Sequence, residues 1–243
     1  MLREVAPSAA IGIKLAKLGN NMYSYEKKMG IYKDVVIGFI GAFSPKKVLD
    51  VGCGRGELVH PFIENGIETY GIDGSHYGIQ EGIRRFREMW GYNFGKEKQP
   101  YFKLDIESEI FPFRDNYFDF VTIIDVIEHL YSSRHCLNQI KRILNPEGHL
   151  LIVTHKPESK YVIGDKTHVN IHPKEKWIEL FNQCGFFEPP DAMDRLKMYA
   201  RCKPASTDEG KKYCTNGDFV ARERQVLNAL DNHQILVILK KTE

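Results

Sequence analysis

Three alternate glycines, Gly52, Gly54 and Gly56, give the clearest chemical signal in this sequence. They follow a short apolar run over residues 47–51, and a helical pattern begins at Glu57. A strand, a glycine turn and a helix start form the turn that holds nucleotides in α/β sheets. Glycine suits this turn because a ligand can approach bare backbone and because φ can become positive. The pattern predicts a nucleotide-type cofactor site, although turns of this composition also occur without a ligand.

Acidic residues at the ends of predicted strands strengthen this interpretation. The run over residues 67–73 predicts a second strand that ends in Asp73, 17 residues after Gly56. An acid at this strand tip can accept hydrogen bonds from both hydroxyls of a ribose. The run over residues 100–106 predicts a third strand with Asp105 near its end. The alternative for Asp105 is an acid that caps a loop turn.

The glycine spacing separates two cofactor classes. A dinucleotide-binding turn has the spacing G-x-G-x-x-G, whereas this chain has G-x-G-x-G preceded by Asp50. This departs from the NAD pattern and resembles the first motif of the class I S-adenosylmethionine (SAM) methyltransferases. The segment from Asp125 to Leu130, which follows an apolar run, resembles the small-molecule branch that includes the ubiquinone and menaquinone biosynthesis enzymes. The resemblance covers residues 46–155 in five motifs that agree in order.

The resemblance implies the cofactor, the reaction and a set of binding residues. SAM would be the methyl donor, S-adenosylhomocysteine the product, and an O, N or C atom of a small-molecule acceptor the recipient. Asp105 and Ile106 would meet the adenine, Asp125 the methionine end, and Tyr25 the sulfonium, because aromatic faces attract cations. The predicted cofactor-binding residues are Asp50, Gly52, Cys53, Gly54, Gly56, Asp73, Gly74, Ser75, Asp105, Ile106, Asp125, Val126 and Tyr25.

Three histidines, His129, His155 and His168, are the candidates for a catalytic base. Imidazole titrates near neutral pH and is the commonest general base; a loop histidine is also commonly a hydrogen-bonding or surface residue. His168 and His172 have a spacing of four, which would place both on one metal only within a helix. Pro173 indicates that the helix starts after them, so no metal site is predicted.

The elements that position these residues predict a doubly wound, Rossmann-like α/β fold. We expect a seven-stranded sheet, mostly parallel with one antiparallel strand near the edge, and helices on both faces. The pattern predicts one domain over residues 1–243. Its parts are N-terminal cap helices (1–45, including a helix over 25–43), the SAM-binding core (46–155), and an acceptor-side region with closing strands (156–243). Residues 186–218 are expected to be an irregular or mobile lid, and residues 234–239 a closing strand.

Composition narrows the function classes. The formal net charge is +2 and hydrophobic residues make up 42% of the chain, which gives no reason to expect a nucleic-acid partner. The five cysteines include no C-x-x-C pair, so reduced thiols and a cytoplasmic location are expected. No apolar stretch reaches the ~20 residues of a membrane span, and no signal peptide is recognisable. The alternatives are an NAD-type oxidoreductase, a methyltransferase of protein or RNA, and a non-catalytic partner subunit.

Overall fold

A seven-stranded sheet forms the centre of the protein. The computed structural model describes residues 38–90, 99–159, 162, 165–201 and 234–242. The strands are β1 (Lys47–Val51), β2 (Glu68–Asp73), β3 (Tyr101–Lys103), β4 (Phe118–Ile124), β5 (Leu144–His155), β6 (Phe186–Phe187) and β7 (Gln234–Lys241). The helices are α1, described over residues 38–43, α2 (Val59–Glu64), α3 (His76–Trp90), α4 (Ser133–Ile143), α5 (Lys174–Gln183) and α6 (Ala192–Arg201), with a 3-10 turn at Ile127–His129.

The strand order is β3-β2-β1-β4-β5-β7-β6. Strands β1 to β5 pair in parallel, and β7 runs antiparallel to both β5 and β6. The chain winds outward from β1 to β3 and then returns to the other side of β1 to form β4. The carboxyl ends of β1 and β4 therefore flank a topological switch point, which is where open α/β sheets bind ligands. The predicted fold class, with one antiparallel strand near the edge, is confirmed.

Alternating strand residues build a core on each face of the sheet. On one face, Leu49 and Val51 of β1 pack in a cluster that includes Leu137 of α4 and Trp177 of α5. On the other face, Val48 lies in a cluster that includes side chains of α1, α2 and α6. Strand side chains point to opposite faces with a period of two, so the apolar strands are covered on both sides as parallel strands require.

The predicted bounds of two strands differ from those in the structure. β3 ends at Lys103, two residues before Asp105, because Asp105 starts a turn. β5 begins at Leu144 and includes residues 145–148, although their sequence, Asn-Pro-Glu-Gly, is typical of a turn. Backbone bonds from Tyr117 N to Ile143 O and from Asn116 N to Arg142 O lead the end of α4 directly into the ladder with β4, whose register shifts between Phe118 and Phe120.

The expectation of an irregular segment over residues 186–218 is wrong for its first part. Phe186–Phe187 pairs with β7 and residues 192–201 form α6, whose Leu196 is buried in the core. The prolines at 189 and 190 lie ahead of the helix, where they do not interrupt its hydrogen bonds. Residues 202–218 and most of the predicted 25–43 helix lie outside the described residues. Within those that are described, no helix combines the length and hydropathy that a membrane crossing needs.

Candidate active site

The glycine turn after β1 has a conformation that side chains would obstruct. Gly52, Gly54 and Gly56 have φ angles of 76°, 53° and 84°. A Cβ on Gly52 would lie 2.2 Å from Cγ2 of Val126, which is buried at the carboxyl end of β4. The turn therefore presses bare backbone against the neighbouring strand end. The amides of the turn bond within the chain, Gly52 N and Cys53 N to Ile72 O and Gly54 N to the Asp73 carboxylate, so the turn offers a ligand close approach to backbone without intervening side chains.

The Asp73 carboxylate ties the glycine turn to the tip of β2. Its Oδ2 accepts a hydrogen bond from Gly54 N at 2.9 Å, and its Oδ1 accepts one from Ser75 N at 2.6 Å. Burial raises the pKa of Asp73, against the opposing effect of these two backbone hydrogen bonds. The predicted residues Gly74 and Ser75 follow directly, and Ser75 Oγ accepts from Gly78 N at 3.1 Å as the N-cap of α3.

Asp50 is a second buried acid beneath the same turn. Its carboxylate is 4% exposed and accepts a hydrogen bond from Thr122 Oγ1 at 2.7 Å. Burial, the largest cause, and the nearby charges of Glu57 and Asp73 together raise the pKa of Asp50 to about 7, against the lowering effect of the hydrogen bond from Thr122. Buried carboxyl groups whose charges repel one another therefore lie beside the glycine turn. A cationic ligand would relieve that repulsion.

The remaining predicted cofactor residues differ in placement. Cys53 is buried against the α2–α3 side of the sheet, and burial raises the pKa of its thiol. Ile106 is buried in the core. Asp105 is exposed and caps its own turn, with Glu107 N and Ser108 Oγ donating to its carboxylate. Its contact with adenine stays a prediction, and Tyr25 lies outside the described residues.

Asp125 follows β4 in an unusual backbone conformation. Its φ is 53°, in the left-handed region that few non-glycine residues adopt. The bond from Asp125 N to Val153 O at 3.0 Å holds it beside β5. Its Oδ1 lies 3.8 Å from His155 Nε2. Strain of this kind is common at functional sites, and here it turns a carboxylate at the carboxyl edge of the sheet toward a histidine.

The three predicted histidines come together beside Asp125. The ring centroids of His129 and His168 are 4.6 Å apart, and those of His155 and His168 are 5.3 Å apart. Glu128 joins these histidines, although the sequence did not predict it as a site residue. Its side chain is fully buried, and its Oε1 lies 3.8 Å from His155 Nε2. A charged residue inside the apolar segment 126–130 was the available signal for it, because buried carboxylates are rare without partners.

Hydrogen bonds orient His129 and Glu128 in this region. The three histidines, His129, His155 and His168, are called the histidine cluster below. Thr154 Oγ1 donates to Glu128 Oε2 at 3.0 Å. His129 Nδ1 lies 3.1 Å from Thr167 O. A carbonyl oxygen can only accept, so Nδ1 of His129 carries the proton and the lone pair of a neutral ring is on Nε2. The cluster can therefore accept a proton from a neighbouring hydroxyl.

The described residues fit SAM. A ribose donates through its hydroxyls, and Asp73 provides a buried acceptor at the strand tip where ribose binds in this class of fold. The methionine end of SAM carries a sulfonium, an ammonium and a carboxylate, and the carboxyl groups near the glycine turn match its net positive charge. The backbone at Gly52 and Gly54 is bare at the same place. These features of the chain agree with the cofactor that the sequence predicts.

Comparisons with known proteins decide the family. A family model described as a methyltransferase domain matches residues 30–197, which is more than half of the chain. The chain belongs to the class I SAM-dependent methyltransferases. The ubiquinone biosynthesis O-methyltransferase of Alkalilimnicola ehrlichii is 28% identical over 121 residues, covering 50% of this methyltransferase and 46% of that relative. The same-named enzyme of Yersinia enterocolitica is 23% identical over 176 residues, covering 71% and 70%.

Solved structures support the fold. The O-methyltransferase of a trans-AT PKS multienzyme from Brevibacillus brevis, determined in complex with S-adenosyl-L-homocysteine, aligns with a TM-score of 0.59 at 19% identity. The alignment covers 99% of this methyltransferase and 81% of that chain. The PH0226 protein of Pyrococcus horikoshii aligns with a TM-score of 0.58 at 17% identity. At these identities the likeness concerns the fold, and the chain spans less than half of the first curated relative named above.

Replacement of Gly52 by alanine tests the bare-backbone contact. The new Cβ would meet Val126, so the turn must shift, which also costs about 1–3 kcal/mol of stability. We expect the displaced turn of Gly52→Ala to bind S-adenosylhomocysteine about tenfold or more weakly, a loss of about 1.4 kcal/mol, measured by calorimetry on the folded variant.

Gly66 provides the matched control for that substitution. It has the same φ of 76°, but a Cβ there would meet nothing within 4 Å. Gly66→Ala therefore imposes the same backbone strain without the collision and should leave the cofactor affinity unchanged. Equal affinities for the two variants would contradict the assignment of Gly52.

The buried acid Asp50 predicts a pH-dependent stability. Its folded-state pKa of about 7 lies above the ordinary value of 3.8, so the folded state binds more protons and loses stability as the pH rises between these values. Asp50→Asn keeps an acceptor for Thr122 and removes the buried charge. We expect it to raise the Tm of the cofactor-free protein at pH 8 by about 4–10 °C and to change it little at pH 4.

A thermal-shift series from pH 4 to pH 8 measures that effect. Asp191→Asn is the control, because Asp191 is exposed and its substitution should give a Tm difference that is small at every pH. An Asp50→Asn difference that does not grow with pH would show that folding does not raise the pKa of Asp50.

Proposed function

We propose that the chain transfers the methyl group of SAM to a hydroxyl oxygen of a small-molecule acceptor, with His129 as the general base. The observation that carries this proposal is the histidine cluster beside Asp125, at the carboxyl edge of the sheet. A neutral hydroxyl is a weak nucleophile until its proton is removed, and imidazole is suited to that task near neutral pH. An amine acceptor would need positioning only, and would leave such a cluster without a task.

The bound cofactor supplies a methyl group on a positive sulfur, which is an electrophile without further activation. The chain contributes binding and orientation. Asp73 and the close backbone of the glycine turn position the nucleoside half, and Asp125 is assigned to the methionine end. His129 Nε2 accepts the proton of the acceptor hydroxyl while the bond to Thr167 O holds the ring in place. Holding donor and acceptor in line supplies much of the rate enhancement.

The curated relatives support an oxygen acceptor. Two of them are named ubiquinone biosynthesis O-methyltransferase, and a further one, from Renibacterium salmoninarum, is named demethylmenaquinone methyltransferase and is 26% identical over 121 residues. The two O-methyltransferase names support an oxygen acceptor, whereas the third name gives no acceptor atom. These names support a class of acceptor rather than one molecule, because the matches cover 46% of the Alkalilimnicola ehrlichii enzyme and 46% of the Renibacterium salmoninarum enzyme.

An RNA acceptor is the second candidate. A tRNA N(3)-cytidine methyltransferase of Danio rerio is 25% identical over 186 residues, covering 68% of this chain and 52% of that relative. The net charge of +2 gives this candidate less support, since phosphate backbones attract strongly basic surfaces. Labelled SAM offered with pooled hydroxyl metabolites, with total tRNA and with cell-free protein separates these acceptors by the fraction that retains the label.

Replacement of His129 by glutamine tests the proposed base. The amide fills a similar volume and can bond to Thr167 O, but it cannot take a proton. We expect kcat on the accepted metabolite to fall by about 10²–10⁴-fold, the usual contribution of a general base. The affinity for S-adenosylhomocysteine, measured on the same sample by calorimetry, should not change.

His135→Gln is the matched control. Its ring also contacts a backbone carbonyl, Glu109 O at 2.9 Å, and it lies on α4 rather than in the histidine cluster. This variant should keep the kcat of the unmodified chain. Full activity of His129→Gln with a hydroxyl acceptor would exclude His129 as the base, and label in tRNA alone would overturn the small-molecule acceptor.

A further inference from the structure

Three side chains of the site converge as metal ligands do. Glu128, His155 and His168 each offer one ligand atom, and these atoms all lie within 4.8 Å of one another. They come from three separate segments: the 3-10 turn after β4, the end of β5, and the loop before α5. Glu128 and His168 are 40 residues apart in the sequence, so local chain geometry does not explain why they meet.

The convergence is built by the backbone. Val169 N and Asn170 N both donate to Glu128 O at 3.0 Å, which ties the loop carrying His168 to the turn carrying Glu128. His155 is the last residue of β5 and is paired with Gln234 of β7. The side chains of Glu128 and His168 are 0% and 1% exposed, and that of His155 is 10% exposed. Ligands held by their own structural elements need little reorganisation when an ion binds.

A further carboxylate supports one of the imidazoles. Asp165 Oδ2 lies 3.8 Å from His168 Nε2, and its Oδ1 is held by Thr167 N at 3.0 Å and Thr167 Oγ1 at 2.7 Å. A carboxylate beside the second nitrogen of a ligating histidine fixes the ring and raises its basicity. Thr154 plays the corresponding part for Glu128 through its bond to Oε2.

The donor types select the class of ion. Magnesium and calcium prefer oxygen ligands, whereas two imidazoles and one carboxylate suit zinc and other first-row divalent ions. Zinc bonds of about 2.0–2.2 Å place ligand atoms about 3.4 Å apart at tetrahedral angles. Small side-chain rotations would bring the three groups to that separation. Three protein ligands leave a fourth position open, as in catalytic zinc sites.

We propose that Glu128, His155 and His168 bind a divalent transition-metal ion of the zinc class, whose open position takes the hydroxyl of the acceptor. This rests on the proposed function. The ion lowers the pKa of the hydroxyl, the O–H bond breaks, and the proton passes to His129 Nε2 and then to solvent. The oxygen forms the new bond to the methyl carbon, and the electron pair of the broken C–S bond stays on sulfur. No oxidant or reductant is needed.

The sequence predicted no metal site because the spacing of His168 and His172 suits one metal only within a helix. The structure separates these two: His172 packs on the ring of Trp177, with centroids 5.1 Å apart, and is absent from the ligand cluster found among the described residues. His172 therefore offers a control histidine in the same loop.

Zinc titration of the full chain tests the proposal. The purified protein is first treated with a chelator, and zinc is then added in the calorimeter, with cobalt absorption as the second measurement. We expect one high-affinity site in the unmodified chain. His155→Gln and His168→Gln should each weaken zinc binding by about 100-fold or more, because second-shell losses alone reach 10–100-fold. His172→Gln should bind zinc as the unmodified chain does.

The outcomes separate this proposal from the proposed function. No zinc uptake by the unmodified chain, or unchanged affinity in both His155→Gln and His168→Gln, would overturn the metal site. Circular dichroism and S-adenosylhomocysteine binding, measured on the same samples, show whether the variants are folded. If one histidine variant fails to fold, Glu128→Gln replaces it. Zinc bound at these ligands with no methyl transfer to any hydroxyl acceptor would leave the metal site standing and reject the proposed function.

Discussion

The carboxylate of Asp73 is the constraint on which the cofactor crevice depends. It accepts hydrogen bonds from the glycine turn after β1 and from the start of α3 after β2, so two chain segments that belong to different strands are fixed relative to each other. The cost of burying this charge is visible in its raised pKa. Hydrogen-bond donors and cations stabilise a buried carboxylate, and the ribose and the methionine end of SAM supply both. Asp73 thus serves the fold and the proposed cofactor contact at once.

The same edge of the sheet divides into two halves with different chemistry. Around β1 and β2 the edge has bare backbone and buried acids, which suit a cation and a sugar. Around the ends of β4 and β5 it has imidazoles with Asp125 and Glu128, which can exchange protons or hold an ion. The strained φ of Asp125 lies at the border between these halves. The topology explains the division, because β4 follows the switch point and brings its terminal turn beside the end of β5.

The sequence predicted where the residues of the cofactor half lie better than where those of the acceptor half lie. Gly52, Asp50 and Asp73 lie within or directly after one strand each, where local spacing fixes position, and their contacts with SAM stay predictions. Glu128 was missed because its role depends on His155 and His168, which approach it through sheet pairing and loop bonds that leave no periodic signal. Helix α6 was missed because two prolines suggested a break, although prolines are tolerated ahead of a helix. The roles of Tyr25 and Asp105 remain predictions.

Calorimetric titration of S-adenosylhomocysteine into the unmodified chain, Asp73→Asn and Asp119→Asn tests the cofactor crevice most directly. Asp119 is a matched acid, because its carboxylate also accepts from two backbone amides, Lys46 N and Lys47 N, at the opposite end of β1. The unmodified chain and Asp119→Asn should bind one equivalent with equal affinity. Asp73→Asn should bind at least about tenfold more weakly, since a hydrogen bond to a charged group contributes roughly 1.5–3 kcal/mol. Undiminished binding by Asp73→Asn, or no binding by the unmodified chain, would contradict this structure-based assignment.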